Sequence, residues 1–257
     1  MDLDNDALLR LNRRGIFFGP TESTKDFLLR AETLPSKSNP STLLEKKFGC
    51  APDWIDVRTH SKGLSPWEGA ATWIEESDAG RTCWVQLKDS FLTRLYAKDE
   101  VIAHEMVHAV RFMFDENRFA EILAYQTSSS RFRRYFGPLF THSKESKWLV
   151  AMIAISWFIY TAEVVFDLRF FGESVLFAPL LVIGLASLRL RRSQTLFSSA
   201  LRNLEKAIRA APLPLALRLT DKESEFFAHS IPEEIRAFAI SEQEKSLRWR
   251  QLYISYF

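Results

Sequence analysis

The residues His104-Glu105-Met106-Val107-His108 set two histidines four positions apart, with a glutamate directly after the first. On a helix, side chains four apart lie on one face, one turn above the other. Both imidazoles can therefore reach a single metal ion. Glu105 can hold a water at that ion and take its proton, which is the chemistry of a zinc hydrolase. The flanking residues support a helix. Lys98-Asp99-Glu100 puts acids in the first turn, where the helix dipole favours negative charge. Val101, Ile102, Met106, Val107, Val110 and Met113 then make the segment apolar enough to be buried. Two histidines and a glutamate inside a buried helix need partners, and a metal supplies them.

A catalytic zinc site takes three protein ligands and leaves a fourth position open. Downstream, Asp115, Glu116 and Glu121 are the available carboxylates. The first helix is expected to end near Phe114, Asp115-Glu116-Asn117 to turn, and residues 118–128 to form a second helix. Antiparallel packing then brings Glu121 level with His108. Glu116 falls in the turn, roughly 12 Å along the axis from His108 at 1.5 Å per residue. It is the runner-up ligand, better suited to capping or to supporting a ligand.

His104-Glu105-x-x-His108, followed by a helix carrying Glu121 in the run Arg118-Phe119-Ala120-Glu121-Ile122-Leu123-Ala124-Tyr125, resembles the gluzincin branch of the zincin metallopeptidases. The likeness covers about residues 82–130 and is to the small, minimal members. It implies zinc on His104, His108 and Glu121, with Glu105 as general base. The third histidine of the metzincin motif is absent. Thr82-Cys83-Trp84-Val85-Gln86-Leu87 reads as a strand with a partner at Thr72-Trp73-Ile74, after a turn at Asp78-Ala79-Gly80. The resemblance implies that residues 83–87 form the edge strand that takes up an extended peptide. Tyr125, one turn beyond Glu121, is the candidate to assist at the oxyanion. Arg111, Tyr135 and His142 are further candidates, and Arg111 has an alternative partner in Glu116.

Two apolar runs follow, at 148–166 and 170–188. Each is near the roughly 20 residues that cross a hydrocarbon core. Glu163 and Glu173 lie close to the turn at Asp167-Leu168-Arg169, where they can reach the far interface. The expected element is a transmembrane helical hairpin, with Pro179 tolerated inside its second helix. Arg131, Arg133, Arg134, Lys144 and Lys147 precede it, and Arg189, Arg191 and Arg192 follow it. The positive-inside rule places both termini and the metal site on the cytoplasmic side, with a bacterial inner membrane as the expected setting.

The chain has 257 residues, 34 Lys and Arg, 32 Asp and Glu, and a net charge of +2. This balance does not indicate a nucleic-acid partner, and the cations cluster beside the apolar runs, where lipid headgroups account for them. Cys50 and Cys83 form no disulfide framework and lack metal-site spacing. The opening residues are acidic and polar, so no signal peptide is expected. Helices are expected at 4–14 and 22–33, irregular chain at 51–70, and further helices at 198–210, from Thr220, from Pro232 and over 246–253. The expected fold is α+β and mostly helical. It comprises a zincin-like catalytic domain at 1–146 (short sheet, active-site helix, glutamate helix), the hairpin at 147–190, and a helical region at 191–257 packing on that domain or on the membrane. The expected partners are a peptide or protein substrate and the lipid bilayer. The alternative is a membrane-anchored scaffold or binding protein whose histidines are structural.

Overall fold

A computed structural model describes residues 3–34, 36, 41–65, 68–77, 80–89, 97–116, 118–141, 143–167 and 172–257. The protein is mostly helical with one small sheet. Three helices open the chain: α1 (Asn5–Arg13), α2 (Thr24–Thr33) and α3 (Thr42–Phe48). Each starts on a side-chain cap, from Asp4, Ser23 and Ser41, which satisfies a backbone N–H that the first turn leaves without a helical partner. Next come β1 (Asp56–Thr59), β2 (Ala70–Ser77) and β3 (Gly80–Leu87).

The strand order is β1-β3-β2, with β1 parallel and β2 antiparallel to β3. Val57 pairs with Val85, and Thr72 sits opposite Val85 on the other side. Cys83, Val85 and Leu87 of β3 are buried, as the period of two requires for one covered face. Two expectations are overturned here. Residues 83–87 belong to the central strand, flanked on both sides, so the edge beside the active helix is β2. A strand also occupies part of the stretch read as irregular. Four residues led by Asp56 carry little β signal of their own, and β1 owes its state to pairing with β3.

The motif helix α4 (Lys98–Val110) packs on β2 and β3. It buries Ala103, Met106, Val107, Ala109 and Val110 and leaves His104, Glu105 and His108 only partly covered. The chain then makes turns through residues 111–114, so α4 ends before the expected Phe114. Asp115 adopts a left-handed φ of 52°, a conformation aspartate tolerates better than most residues, and the chain reverses there. Asn117, the last residue of the expected turn, lies outside the described residues, as do Asp78 and Ala79. The glutamate helix α5 (Ala120–Tyr125) is shorter than 118–128, and α6 (Arg131–Phe136) follows, capped by Ser130.

Two helices are long and apolar enough to cross a membrane. The first, α7 (Ser143–Val165), has 23 residues, about 35 Å at 1.5 Å per residue. A 3-10 segment, Gly172–Phe177, leads into α8 (Ala178–Ala207). Pro179 is at the start of α8 rather than inside it, in the first turn, where its missing N–H costs nothing. The expected turn residues Leu168 and Arg169 lie outside the described residues. Large apolar side chains on both helices face outward, from Trp148 at 73% exposure to Leu188 at 55%. Together they form a contiguous exposed apolar belt of the kind that marks a membrane or protein contact.

The second half of α8 behaves differently. Leu190, Phe197, Ala200, Leu204 and Ala207 are buried in the main core, and the expected helix at 198–210 is the continuation of this one helix. The remaining elements are α9 (Pro212–Ala216), α10 (Asp221–His229), α11 (Pro232–Lys245) and α12 (Leu247–Tyr256). They complete a core shared with the N-terminal helices. The Gln251 amide of α12 donates to the carbonyls of Leu8 and Ile16 and accepts from the Phe18 N–H. Buried Arg218 bonds Asn12 of α1 and the Phe48 carbonyl of α3.

Candidate metal centre

The α4 face left open by core packing carries His104 and His108 one turn apart. Their Nε2 atoms lie 3.4 Å from each other. The Glu121 carboxylate approaches from α5, with Oε2 3.5 Å from His104 Nε2 and Oε1 3.3 Å from His108 Nε2. One ligand atom from each residue can thus surround a single point, and the trio can hold a metal ion. A tetrahedral ion with bonds of about 2.0–2.1 Å would separate its ligands by about 3.3 Å; the two imidazole nitrogens stand at that spacing, and each meets a different oxygen of Glu121. Two imidazoles and a carboxylate also form a donor set common for zinc.

Neighbouring side chains also shift the titration of Glu121 and His108. Burial acts to raise the Glu121 carboxyl, but the His104 and His108 imidazoles beside it outweigh this and hold it well below the usual carboxylate range. Burial likewise pulls His108 down, while Glu121 and then Glu105 draw it above its ordinary value.

Glu105 points into the same space. The Thr72 hydroxyl of β2 lies 2.9 Å from Glu105 Oε2 and 2.9 Å from the Glu105 carbonyl. The edge strand therefore positions the carboxylate next to the first histidine. A cleft of about 500 Å³ opens over the trio. Its walls include Ala71, Thr72 and Trp73 of β2 together with Glu68, Arg111 and Glu116.

Tyr125 presents its ring to His104, centroids 4.7 Å apart at 77°. Behind it stands Gly137, at an ordinary helical φ of −54°. A Cβ added there would collide with the Tyr125 ring, so a side chain is excluded by the tyrosine and not by the backbone. Tyr135 meets Phe136 edge to face with 44% of its surface exposed, and it does not line the cleft. His142 lies outside the described residues.

Glu116 is not brought to the trio. Its Oε2 accepts from the Asp221 N–H at 2.7 Å, at the start of α10, and lies 3.7 Å from Arg111. Asp221 returns the contact, accepting from the N–H groups of Arg118 and Phe119 just before α5. Arg111 donates to the carbonyls of Leu217 and Leu219, and burial pulls its guanidinium down to about 10. At the other end of α4, Glu100 accepts from Ser128, the Ser129 N–H and Arg133. Both ends of the glutamate helix are thus tied to the rest of the protein.

Thr72, Asp221, Glu100 and Gly137 were not identified by reading the motif. The acids of the first turn were the one available signal, and they pointed only to the dipole of α4. No family model, curated protein or solved structure matches this chain.

Proposed function

We propose that the protein is a membrane-anchored zinc peptidase of the gluzincin type. The observation that carries this reading is the convergence of His104, His108 and Glu121 at spacings of 3.3–3.5 Å, with Glu105 beside them. His104, His108 and Glu121 would hold a zinc ion, which would supply Lewis acidity and a polarised water for peptide hydrolysis. Glu105 acts as general base and passes the proton on to the leaving amine. Thr72 fixes the rotamer of that base. Tyr125 acts as a positioning residue, through its ring contact with His104.

The substrate lies along β2. The outer edge of that strand has no partner among the described strands, and its residues line the cleft, so an extended peptide can add to it by main-chain pairing. The apolar belt of α7 and the first part of α8 anchors the protein in a bilayer. Their basic feet at Lys144, Lys147, Arg189, Arg191 and Arg192 set the site on the cytoplasmic side.

The test is zinc titration of purified protein, followed by cleavage of a mixed-sequence fluorogenic peptide pool. One zinc per chain is expected, with cleavage lost in Glu105→Gln while zinc is retained. Folded protein that binds no zinc and cleaves nothing would establish the scaffold alternative instead.

A further inference from the structure

We propose that the substrate of this site is itself membrane-anchored, and that it reaches the metal centre from the bilayer along the foot of the hairpin. This rests on the peptidase reading above and names the class of polypeptide it acts on.

Glu121 stands between two cavities. One is the sheet-side cleft described above. The other, a chamber of about 580 Å³, lies on the hairpin side and is walled by Ile122, Pro138, Leu185 and Leu188, with Arg118 and Arg192 among its charged residues. Leu185 and Arg189 of this chamber also line a third cavity of about 550 Å³. That one is a groove between α7 and α8, faced by Trp148, Leu149, Met152 and Val182. Two adjoining cavities therefore lead from the apolar groove between the spanning helices to the carboxylate of a metal ligand, with the Arg189–Glu145 pair at their junction.

The depth of this path fits the boundary of a bilayer. Leu185 precedes Arg189, the first cation of α8, by four residues, roughly 6 Å along the axis. Arg189 holds Glu145 of α7 by two contacts of 2.7 Å and the Leu139 carbonyl at 3.1 Å, which ties the two helices together where the apolar surface ends. The sheet-side cleft meets the same level. Its wall residue Glu68 lies 3.5 Å from Lys147, near the start of α7.

A free peptide gains nothing from an apolar approach at this depth. A chain emerging from its own membrane helix is already there, with its apolar end in the groove and its first extended residues beside Glu121. Confinement to the same surface raises its effective concentration at the site. The cavities are of the size that holds a bound segment, within roughly 300–1,000 Å³.

The experiment uses the full chain in nanodiscs. It compares the mixed-sequence fluorogenic pool, free in solution, with the same pool joined to a leucine-alanine membrane helix. The anchored pool is expected to be cleaved with kcat/KM at least about tenfold higher. Leu188→Trp, which adds bulk at the chamber wall, is expected to remove that advantage and leave cleavage of the free pool within about twofold. As a readout without turnover, Leu188→Cys in the Glu105→Gln background carries a benzophenone label, both native cysteines being buried. The label is expected to cross-link the anchored pool and not the free one.

Equal rates for the two pools, or a Leu188→Trp variant that slows both alike, overturn the inference and leave the peptidase reading standing. Cross-links to lipid acyl chains alone also overturn it, since the groove would then be a lipid site. Protein that cleaves neither pool and binds no zinc removes the peptidase reading, and this inference with it.

Discussion

Thr72→Val isolates the positioning of Glu105, the proposed general base, from metal binding. Threonine and valine have the same shape and the same β-branched preference for a strand. The substitution therefore removes one hydroxyl and leaves β2 as it is. That hydroxyl lies 2.9 Å from both the carboxylate and the carbonyl of Glu105. It has a single hydrogen, so it serves one acceptor at a time while Glu105 is ionised. Once Glu105 has taken a proton, its own O–H can donate to Thr72, and the Thr72 hydrogen is free for the carbonyl. The pair is thus fully satisfied in the state that follows proton transfer. Loss of a partner that orients a group of the site costs about 10- to 100-fold in activity.

The loss should fall on kcat, with KM within about threefold, because the Thr72 hydroxyl fixes the base while the substrate pairs with the main chain of β2, which the substitution leaves in place. Zinc affinity should be unchanged, since Thr72 contacts none of the three ligands. Thr72→Ser should restore most of the rate. Tm should move by no more than about 4 °C, the shift expected for roughly 1 kcal/mol in a domain of this size. Steady-state kinetics, zinc titration and thermal unfolding on one preparation decide the matter. A variant with full kcat would show that Glu105 does not depend on the strand. A variant that loses zinc would show that Thr72 supports the ligands instead.

Three further perturbations probe other parts of the structure. Gly137→Ala should push the Tyr125 ring off His104 and weaken zinc binding by about 10- to 100-fold, as removal of a ligand's support does; the effect should vanish in a Tyr125→Ala background, and its persistence there would refute the ring contact as the cause. Glu223 is held below the usual carboxylate range because, against burial, Arg248 meets it with two 2.7 Å contacts and the Thr220 N–H and Trp249 also donate to it. A depressed folded pKa stabilises above the unfolded value, about 4.3, and is lost as pH falls through the folded one. Glu223→Gln should therefore cost about 3–5 kcal/mol at pH 7, and the gap from wild type in a pH series of denaturant titrations should close below about pH 4; a gap that stays constant into strong acid would contradict the assignment. Phe158→Arg, at a position 73% exposed, should reduce carbonate-resistant membrane association by about 2.5–3.5 kcal/mol of insertion energy, whereas on a water-facing helix it would be close to neutral.

The parts of the site legible in the sequence are those fixed by helix geometry. A four-residue spacing puts His104 and His108 on one face in any helix, and a turn of known rise brings Glu121 level with them. The same arithmetic left Glu116 in the turn, where it now caps α10. The two apolar runs were legible for a related reason: length and hydropathy along a helix are local properties. Pairing between distant segments was not. Strand order depends on which segment reaches β3 first across the sheet, so the central strand was read as the edge, and Thr72 was passed over because its aim at Glu105 depends on register. Arg189, Arg191 and Arg192 read as the end of a membrane helix, which is correct for the apolar belt and wrong for the helix, since nothing in those residues stops α8 at the interface.

That continuity bears on how the His104, His108 and Glu121 group is held. The lower half of α8 packs behind the glutamate helix, with Phe197 and Phe119 rings 5.9 Å apart. Asp221 caps the same helix from the front, and the Glu116 carboxylate from the α4–α5 connection closes the exchange. With only six residues, α5 is too short to hold its own position, because isolated helices under about 12–15 residues are marginal in water. Besides the Glu100 contacts at the far end of α5, Glu121 is therefore set by elements that lie after the hairpin in the sequence. A truncation ending before Arg189 would keep the whole His-Glu-x-x-His motif and the glutamate, and would still lose the geometry that makes them a trio.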